Sequence, residues 1–175
     1  ILYRLVGSEM CIRDSLYALS ENSNFVICSG AKSILDLSKT NELLETLGIT
    51  RIGYQTNYMP GFWYEETENK VDNKFDEIHE ISSFLKLNEN MGNKKSILIF
   101  NKVPLEKALN KNDVEKWINN ATIKADRNNI SGKELTPFLI KEINEQSKNE
   151  TLNANVSLII NNANLAGKIA KSFYS

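Results

Sequence analysis

Histidine is almost absent from this sequence. The one copy, His79, sits in "DEIHEI", on the polar side of a predicted helix, where a solvated ring is expected. That excludes Ser-His-Asp and Cys-His catalytic arrangements. There are two cysteines, Cys11 and Cys28, too few for a disulfide framework or a zinc site. Cys28 falls inside a predicted strand and reads as a small core residue. Prolines number three beside abundant asparagine, which speaks to base composition more than to function. Charge is nearly balanced at −1, so no global field recruits nucleic acid or an acidic membrane. No apolar run approaches the ~20 residues needed to span a bilayer. The first residues lack the pattern of a signal peptide. A cytoplasmic protein with no nucleic-acid or membrane partner is expected.

What is present is an ordinary globular composition in 175 residues, a soft prior for one domain. "NFVICSG" (Asn24 to Gly30) is an apolar run closed by glycine, read as a strand buried on both faces, hence in a parallel sheet. A helix is expected from Lys32 to Leu47, stopped by Gly48. "ITRIGYQT" and "KKSILIFNKV" read as two further strands. "NYMPGFWYEET" reads as a Pro-Gly turn followed by a short aromatic strand. A helix is expected over 76–91 with Ile78, Ile81 and Leu85 inward, sometimes joined by Phe84 and Leu87. Asp113 is the expected N-cap of a helix to Asn128. "GKELTPFL" enters another, with Thr136 as N-cap and Pro137 at the first helical position. The last helix, 151–174, is expected to turn Leu152, Val156, Ile159, Ala163, Ala166 and Ala170 inward. The fold class is therefore α/β: a partial layered sheet of mostly parallel strands flanked by helices. The helices outnumber the strands that should receive them.

Four places could carry chemistry. Lys32 lies two residues past Gly30, at the carboxyl end of a buried strand, where ligands bind in open α/β sheets. Desolvation there would favour the neutral amine, which attacks carbonyls to form a Schiff base. A plain solvent-facing lysine is the alternative. Asn155 and Asn162, seven residues apart, share a helix face, and an amide can orient a sugar hydroxyl or phosphate. A capping or wet-flank role stays open for both. "GKELTPFL" could hold an anion on backbone N–H groups, or could simply start a helix. Glu65, Glu66 and Glu68 form an acidic cluster beside a turn, for which solvation is the default.

From Cys28 to Asp36 the chain reads "CSGAKSILD", and it continues through "ETLG", "IGYQT", "GKELTPFL" and "LNANVSLIINNANLA". These motifs, in this order, resemble the pseudouridine-5′-phosphate glycosidase family, also called indigoidine synthase A-like. The resemblance covers Leu16 to Tyr174. It implies an enzyme that reversibly cleaves the C–C glycosidic bond of pseudouridine 5′-phosphate to uracil and ribose 5-phosphate, as a manganese-dependent homotrimer. It implies that Lys32, in "SGAKS", forms a Schiff base with ring-opened ribose, and that Asn155, in "TLNANVSL", contacts the sugar phosphate. A covalent lysine suits this bond, because a C-glycoside has no basic leaving oxygen for an acid to protonate. The departures are Ser29 where alanine is usual and "FNKVP" where "ANPIP" is usual. A non-catalytic sugar-phosphate-binding or interaction module, and an aldolase-like Schiff-base lyase, are the alternatives.

The opening of the chain fits none of this. "LVGSEMCIRDS" can be written codon by codon as a transposon-type sequencing adapter, so residues 1–15 are expected to be adapter-derived. The resemblance implies an acidic D-x-S-x-D stretch whose last aspartate lies seventeen residues before the lysine. Here that register falls on Cys11 to Ser15, with no acid at either position and Asp14 one place out. No metal ligand is therefore expected in the chain. Residues 16–175 are expected to form the C-terminal part of a single domain whose N-terminal half is missing, and to be inactive alone.

Overall fold

The computed structural model describes residues 15–175. A helical segment, residues 15–21, leads into strand β1 (Phe25–Cys28). Helix α1 (Leu37–Thr46), β2 (Thr50–Tyr54), β3 (Asn73–Phe75), α2 (Ile78–Asn90) and β4 (Ile97–Phe100) follow. Three helices close the chain: α3 (Lys111–Arg127), α4 (Leu135–Gln146) and α5 (Glu150–Tyr174). The four strands form one parallel sheet in the order β1-β4-β2-β3.

The alternating side chains of β4 explain the layers. Ile97 and Ile99 pack with Ile81, Leu85, Leu165 and Ile169, from α2 and α5. Leu98 and Phe100 pack on the opposite face with Leu16 of the first helical segment, Leu44 of α1 and Ile49, just before β2. All four β4 residues are buried, as a strand covered on both faces requires. A third cluster joins α3, α4 and the start of α5 through Val114, Ile118, Leu139, Ile143 and Ala154.

Several expected boundaries move, each for a local reason. Helix α1 begins at Leu37, not Lys32, because the Asp36 carboxylate accepts the Lys39 N–H and sets the start there. Helix α3 is capped by Asn110, whose side chain accepts from Asn112 and Asp113, so Asp113 lies inside the helix. Helix α4 grows out of a 3₁₀ turn, Gly132–Glu134, which puts Thr136 inside it. Pro137 then occupies the first turn, where a missing N–H leaves no helical bond unmade. The aromatic segment after Pro60 is not a strand: it turns back, and Trp63 and Tyr64 bury themselves in the helical cluster. The strand on the β2 edge is instead β3, short and polar. Leu87 faces out, while Ile78 and Phe84 are partly buried.

The largest correction concerns α5. Its buried face is Thr151, Ala154, Leu158, Leu165 and Ile169. Leu152, Val156 and Ile159, expected inward, are 51%, 50% and 69% exposed, and Ala163 and Ala170 are exposed as well. The helix carries apolar residues at helical spacing on two faces, so periodicity alone could not say which one the sheet would take.

One polar group is buried deliberately. Arg51 on β2 donates through its backbone N–H and Nε to Asp72 Oδ2, at 2.8 and 3.2 Å, and through Nη2 to Asp72 Oδ1. Its Nη1 reaches Asn41 Oδ1 and, at 2.7 Å, Glu45 Oε1. Burial works against the charge, but the hydrogen bonds to Asp72 and Glu45 outweigh it and hold the guanidinium above its ordinary value. The side chain thereby fastens α1, β2 and the entry to β3 together.

Candidate functional site

The site is built from the turn after β1. Gly30 has φ +86°, and a Cβ there would fall 2.2 Å from the Pro60 carbonyl oxygen, so only glycine fits. The Phe62 N–H donates to the Ser29 carbonyl at 3.2 Å, and the Ser33 hydroxyl donates to the Gly61 carbonyl. The Leu35 N–H returns to the Lys32 carbonyl at 2.9 Å. Ser29, Ser33 and Ile34 are buried. The turn is thus fixed on both sides of Lys32, and Lys32 itself stands exposed at its apex. No hydrogen bond or ion pair to its ammonium occurs among the described residues.

The excursion between β2 and β3 supplies the other wall. It runs out through Met59 and returns through Thr67 and Asn69, with Met59 N–H bonded to Asn69 and Thr67 N–H bonded to Met59. Its tip, Pro60 to Tyr64, presses on the Lys32 turn from one side and reaches α5 from the other. The buried Trp63 indole N–H donates to Asn155 Oδ1 at 2.7 Å. Lys32 and Asn155 are therefore not bonded to each other but stand on opposite sides of one loop. The Asn155 amide Nδ2 makes no hydrogen bond among the described residues and is left to donate.

Asn162 behaves differently from Asn155. Its Nδ2 donates to Ser29 Oγ at 3.0 Å, and its Oδ1 accepts from Asn101 Nδ2 at 3.1 Å. It ties the carboxyl ends of β1 and β4 to α5, three residues before the lysine. Next to it, Asn161 Nδ2 donates to the Lys102 carbonyl at 3.1 Å. Lys102 Nζ sits 3.4 Å from Glu66 and 3.7 Å from Glu65, and the Thr56 hydroxyl is 2.8 Å from Glu66. Two of the three glutamates are thus bound into the strand ends. Glu68 stays largely solvated, with Lys111 at 3.9 Å. His79 is exposed on α2. Cys28 lies in an apolar cluster, where burial pushes its thiol up to about 11, against a smaller lowering by the Gly30 backbone. It is a protonated core residue at neutral pH and no nucleophile.

Two clefts flank the loop. One, of about 470 Å³, is lined by Trp63, Thr136, Pro137, Ile140, Leu152 and Asn155, so it brings "GKELTPFL" and "LNANVSL" together. The other, of about 820 Å³, is lined by Ser33, Asp36, Tyr64, Thr67 and residues of the first turns of α3. Sequence reasoning passed over Trp63, Asn101, Lys102 and the pairing of Glu66. Asn101 and Lys102 carried a usable signal, since they directly follow a fully apolar strand at its carboxyl end. Trp63 carried none, because its partner lies 92 residues away.

Among the described residues, no group of three or more His, Cys, Asp or Glu is placed to hold a metal ion. None of the described helices is long and apolar enough to cross a membrane.

Asn155→Ala would leave the buried Trp63 indole N–H without its acceptor. A loss of about 1–3 kcal/mol of stability is expected in urea unfolding. Asn155→Asp, which keeps the acceptor, should recover most of it.

Comparison with known proteins follows the same lines. The family model described as "Indigoidine synthase A like protein" matches residues 3–172. A pseudouridine-5′-phosphate glycosidase of Kosmotoga olearia is 42% identical over 159 residues, 91% of this chain and 55% of its own length. The Petrotoga mobilis protein of that name is 42% identical over 98% of this chain and 56% of its own length. The chain spans about half the length of the curated relatives it matches. Among solved structures, the prealnumycin C-glycosynthase AlnA, in complex with ribulose 5-phosphate, superposes with a TM-score of 0.85 at 26% identity. An indigoidine synthase A-like protein of Thermotoga maritima does so with a TM-score of 0.80 at 32% identity. Each match covers 90% of this chain and 52% of the solved chain. The chain belongs to the indigoidine synthase A-like family of enzymes.

Proposed function

We propose that the whole protein is a pseudouridine-5′-phosphate glycosidase, and that this chain carries its Schiff-base lysine, Lys32, and a substrate amide, Asn155. The observation that carries the reading is the run of relatives of that name aligned across nine-tenths or more of the chain. The solved C-glycosynthase holding ribulose 5-phosphate supports a sugar-phosphate ligand. The rigid turn and exposed amine at Lys32 support a covalent role.

In this reading Lys32 Nζ bonds to C1′ of the ribose as the C1′–O4′ bond opens. The C1′–C5 bond to uracil then breaks. Uracil C5 keeps the electron pair and takes a proton, while the nitrogen lone pair forms an iminium at C1′. Water hydrolyses the iminium, releasing ribose 5-phosphate and restoring the amine. Asn155 Nδ2 donates to the sugar phosphate, with its carbonyl held by Trp63. Glu66 is engaged by Lys102 and Thr56, so it is not assigned as the proton donor. The described residues do not fit manganese, and no step is routed through it here. Its ligands, and the trimer contacts, are proposed for the whole protein.

The test is a chimaera that places the N-terminal half of the Kosmotoga olearia relative before residue 16. Borohydride reduction with ribose 5-phosphate should label Lys32. Labelling of Lys133 or Lys168 instead would overturn the assignment. Labelling of Lys32 without uracil release from pseudouridine 5′-phosphate would favour the aldolase-like lyase. Binding of the sugar phosphate with no label would favour a non-catalytic module.

A further inference from the structure

The amide of Asn101 is set up in the opposite sense to that of Asn155. Ile27 and Ile99 pack on the face covered by α2 and α5. Two residues further along, Ser29 and Asn101 keep to that face, just past the carboxyl ends of β1 and β4. There they meet Asn162 of α5. Asn101 Nδ2 donates to Asn162 Oδ1 at 3.1 Å, and Asn162 Nδ2 donates to Ser29 Oγ at 3.0 Å. Ser29 and Asn101 are 2% and 6% exposed. The Asn101 Oδ1 accepts no hydrogen bond among the described residues. Among those residues no occluded side-chain oxygen or nitrogen lacks a partner, so Oδ1 must reach the surface. A nearly buried amide is normally satisfied within the protein. One with its donor committed and its acceptor open is instead arranged to read a ligand. The carboxyl ends of neighbouring parallel strands are where open α/β sheets hold ligands. Protein contacts thus fix two amides oppositely. Trp63 takes the Asn155 carbonyl and leaves its donor, while Asn162 takes the Asn101 donor and leaves its carbonyl.

We infer that Asn101 reads the sugar: its Oδ1 accepts the C2 hydroxyl of the pentose, and Asn162 holds it in that orientation. The inference rests on the sugar-phosphate reading above. It adds the group that tests for a hydroxyl. A carbonyl oxygen repels a phosphate and takes only an O–H or N–H, so the anionic end of the sugar lies elsewhere. Location selects C2. Lys32, proposed to bond C1, lies three residues past Ser29, and Ser29 shares Asn162 with Asn101. The acceptor therefore stands beside the turn of the lysine. Asn155 and Asn162 are seven residues, about 10 Å, apart along α5. That separation suits an open-chain pentose phosphate with its phosphate at Asn155 and C2 at Asn101.

The experiment compares ribose 5-phosphate with 2-deoxyribose 5-phosphate, each trapped on Lys32 by borohydride in the chimaera above. The readout is the half-saturating concentration of each sugar, as a ratio of variant to starting protein. That ratio cancels the sugars' own differences in ring opening. Asn101→Leu should raise the value for ribose 5-phosphate about tenfold, the worth of one hydrogen bond, and leave the deoxy sugar unchanged. Asn162→Leu, with Asn101 intact, should give part of the same selective loss. Asn101→Asp keeps the acceptor, because Asn162 can turn its amide and the Ser29 hydroxyl can reverse. Both sugars should then stay near their starting values. Comparing two sugars on one protein separates recognition from folding. Equal losses for both sugars in Asn101→Leu would overturn the inference, as would no loss for ribose 5-phosphate. Equal loss of both in Asn101→Asp would also overturn it, since the group repelled there would be the phosphate. No trapping of either sugar by the starting chimaera would overturn the sugar-phosphate reading itself, and this inference with it.

Discussion

Given manganese and pseudouridine 5′-phosphate, the 175-residue chain by itself is expected to release no uracil above the uncatalysed rate. The amine proposed to form the covalent bond, on Lys32, is present at the apex of a turn fixed by Pro60, Gly61 and Phe62. The rest of the reaction needs partners. Uracil C5 must take a proton, and a missing general acid alone typically forfeits about 10²–10⁴ in rate. Glu65 and Glu66 are paired with Lys102, which follows the carboxyl end of β4. Where the resemblance implies an aspartate seventeen residues before the lysine, the chain has Ser15. Adding the separate N-terminal half of the Kosmotoga olearia relative should restore turnover. A rate for the chain alone close to that of a whole-length relative would show that the needed groups already lie within it.

The largest stability effect is expected at Arg51. Arg51→Met keeps much of the volume but strands the partners. Asn41 is buried and loses a donor, while Asp72 loses the side-chain bonds that orient it. Removing one member of a buried charge pair costs about 3–5 kcal/mol, and the lower end applies here because Asp72 and Glu45 can be partly rehydrated. Urea unfolding should show the midpoint falling at constant slope. The double change Arg51→Met, Asn41→Leu should recover part of the loss, because the buried Asn41 amide is then no longer stranded, while Asp72 still accepts the residue-51 backbone N–H and Glu45 is open to water. A single variant as stable as the starting chain would mean that the cluster contributes nothing net.

Some of this was legible in the sequence and some was not. The runs "FVIC", "TRIGY" and "ILIF" announce strands by composition alone, and all three are found, but only the central "ILIF" is buried throughout; "FVIC", expected buried on both faces, is half-buried because it lies at the edge of the described sheet. Strand β3, "NKF", could not announce itself: it is polar, three residues long, and exists only because β2 is there to pair with it. Helix existence followed from periodicity, but capping decided the boundaries. Asp36 won over the start at Lys32 that apolar spacing suggested, and Asn110 over Asp113, the cap expected from the sequence. The inward face of α5 was misread because both faces are apolar, and only the position of the sheet chooses between them. At the candidate site, Lys32 and Asn155 are singled out by motifs alone. Their relation was not, since it runs through Trp63, whose hydrogen bond spans 92 residues.

The strand order carries a consequence for how the molecule is assembled in time. Pairing β2 with β3 closes a loop of about 20 residues, β2 with β4 about 50, and β1 with β4 about 70, and the last closure costs about 1 kcal/mol more than the first. Because β4 lies between β1 and β2, β1 has no seat until β4 has arrived. Among the described strands, the earliest in the chain is thus the last to dock, and the turn that holds Lys32 becomes rigid only at that step. Through most of its folding the chain carries an unpaired "FVIC" segment. Expression at low temperature, or with a chaperone that shields extended apolar segments, addresses that interval directly.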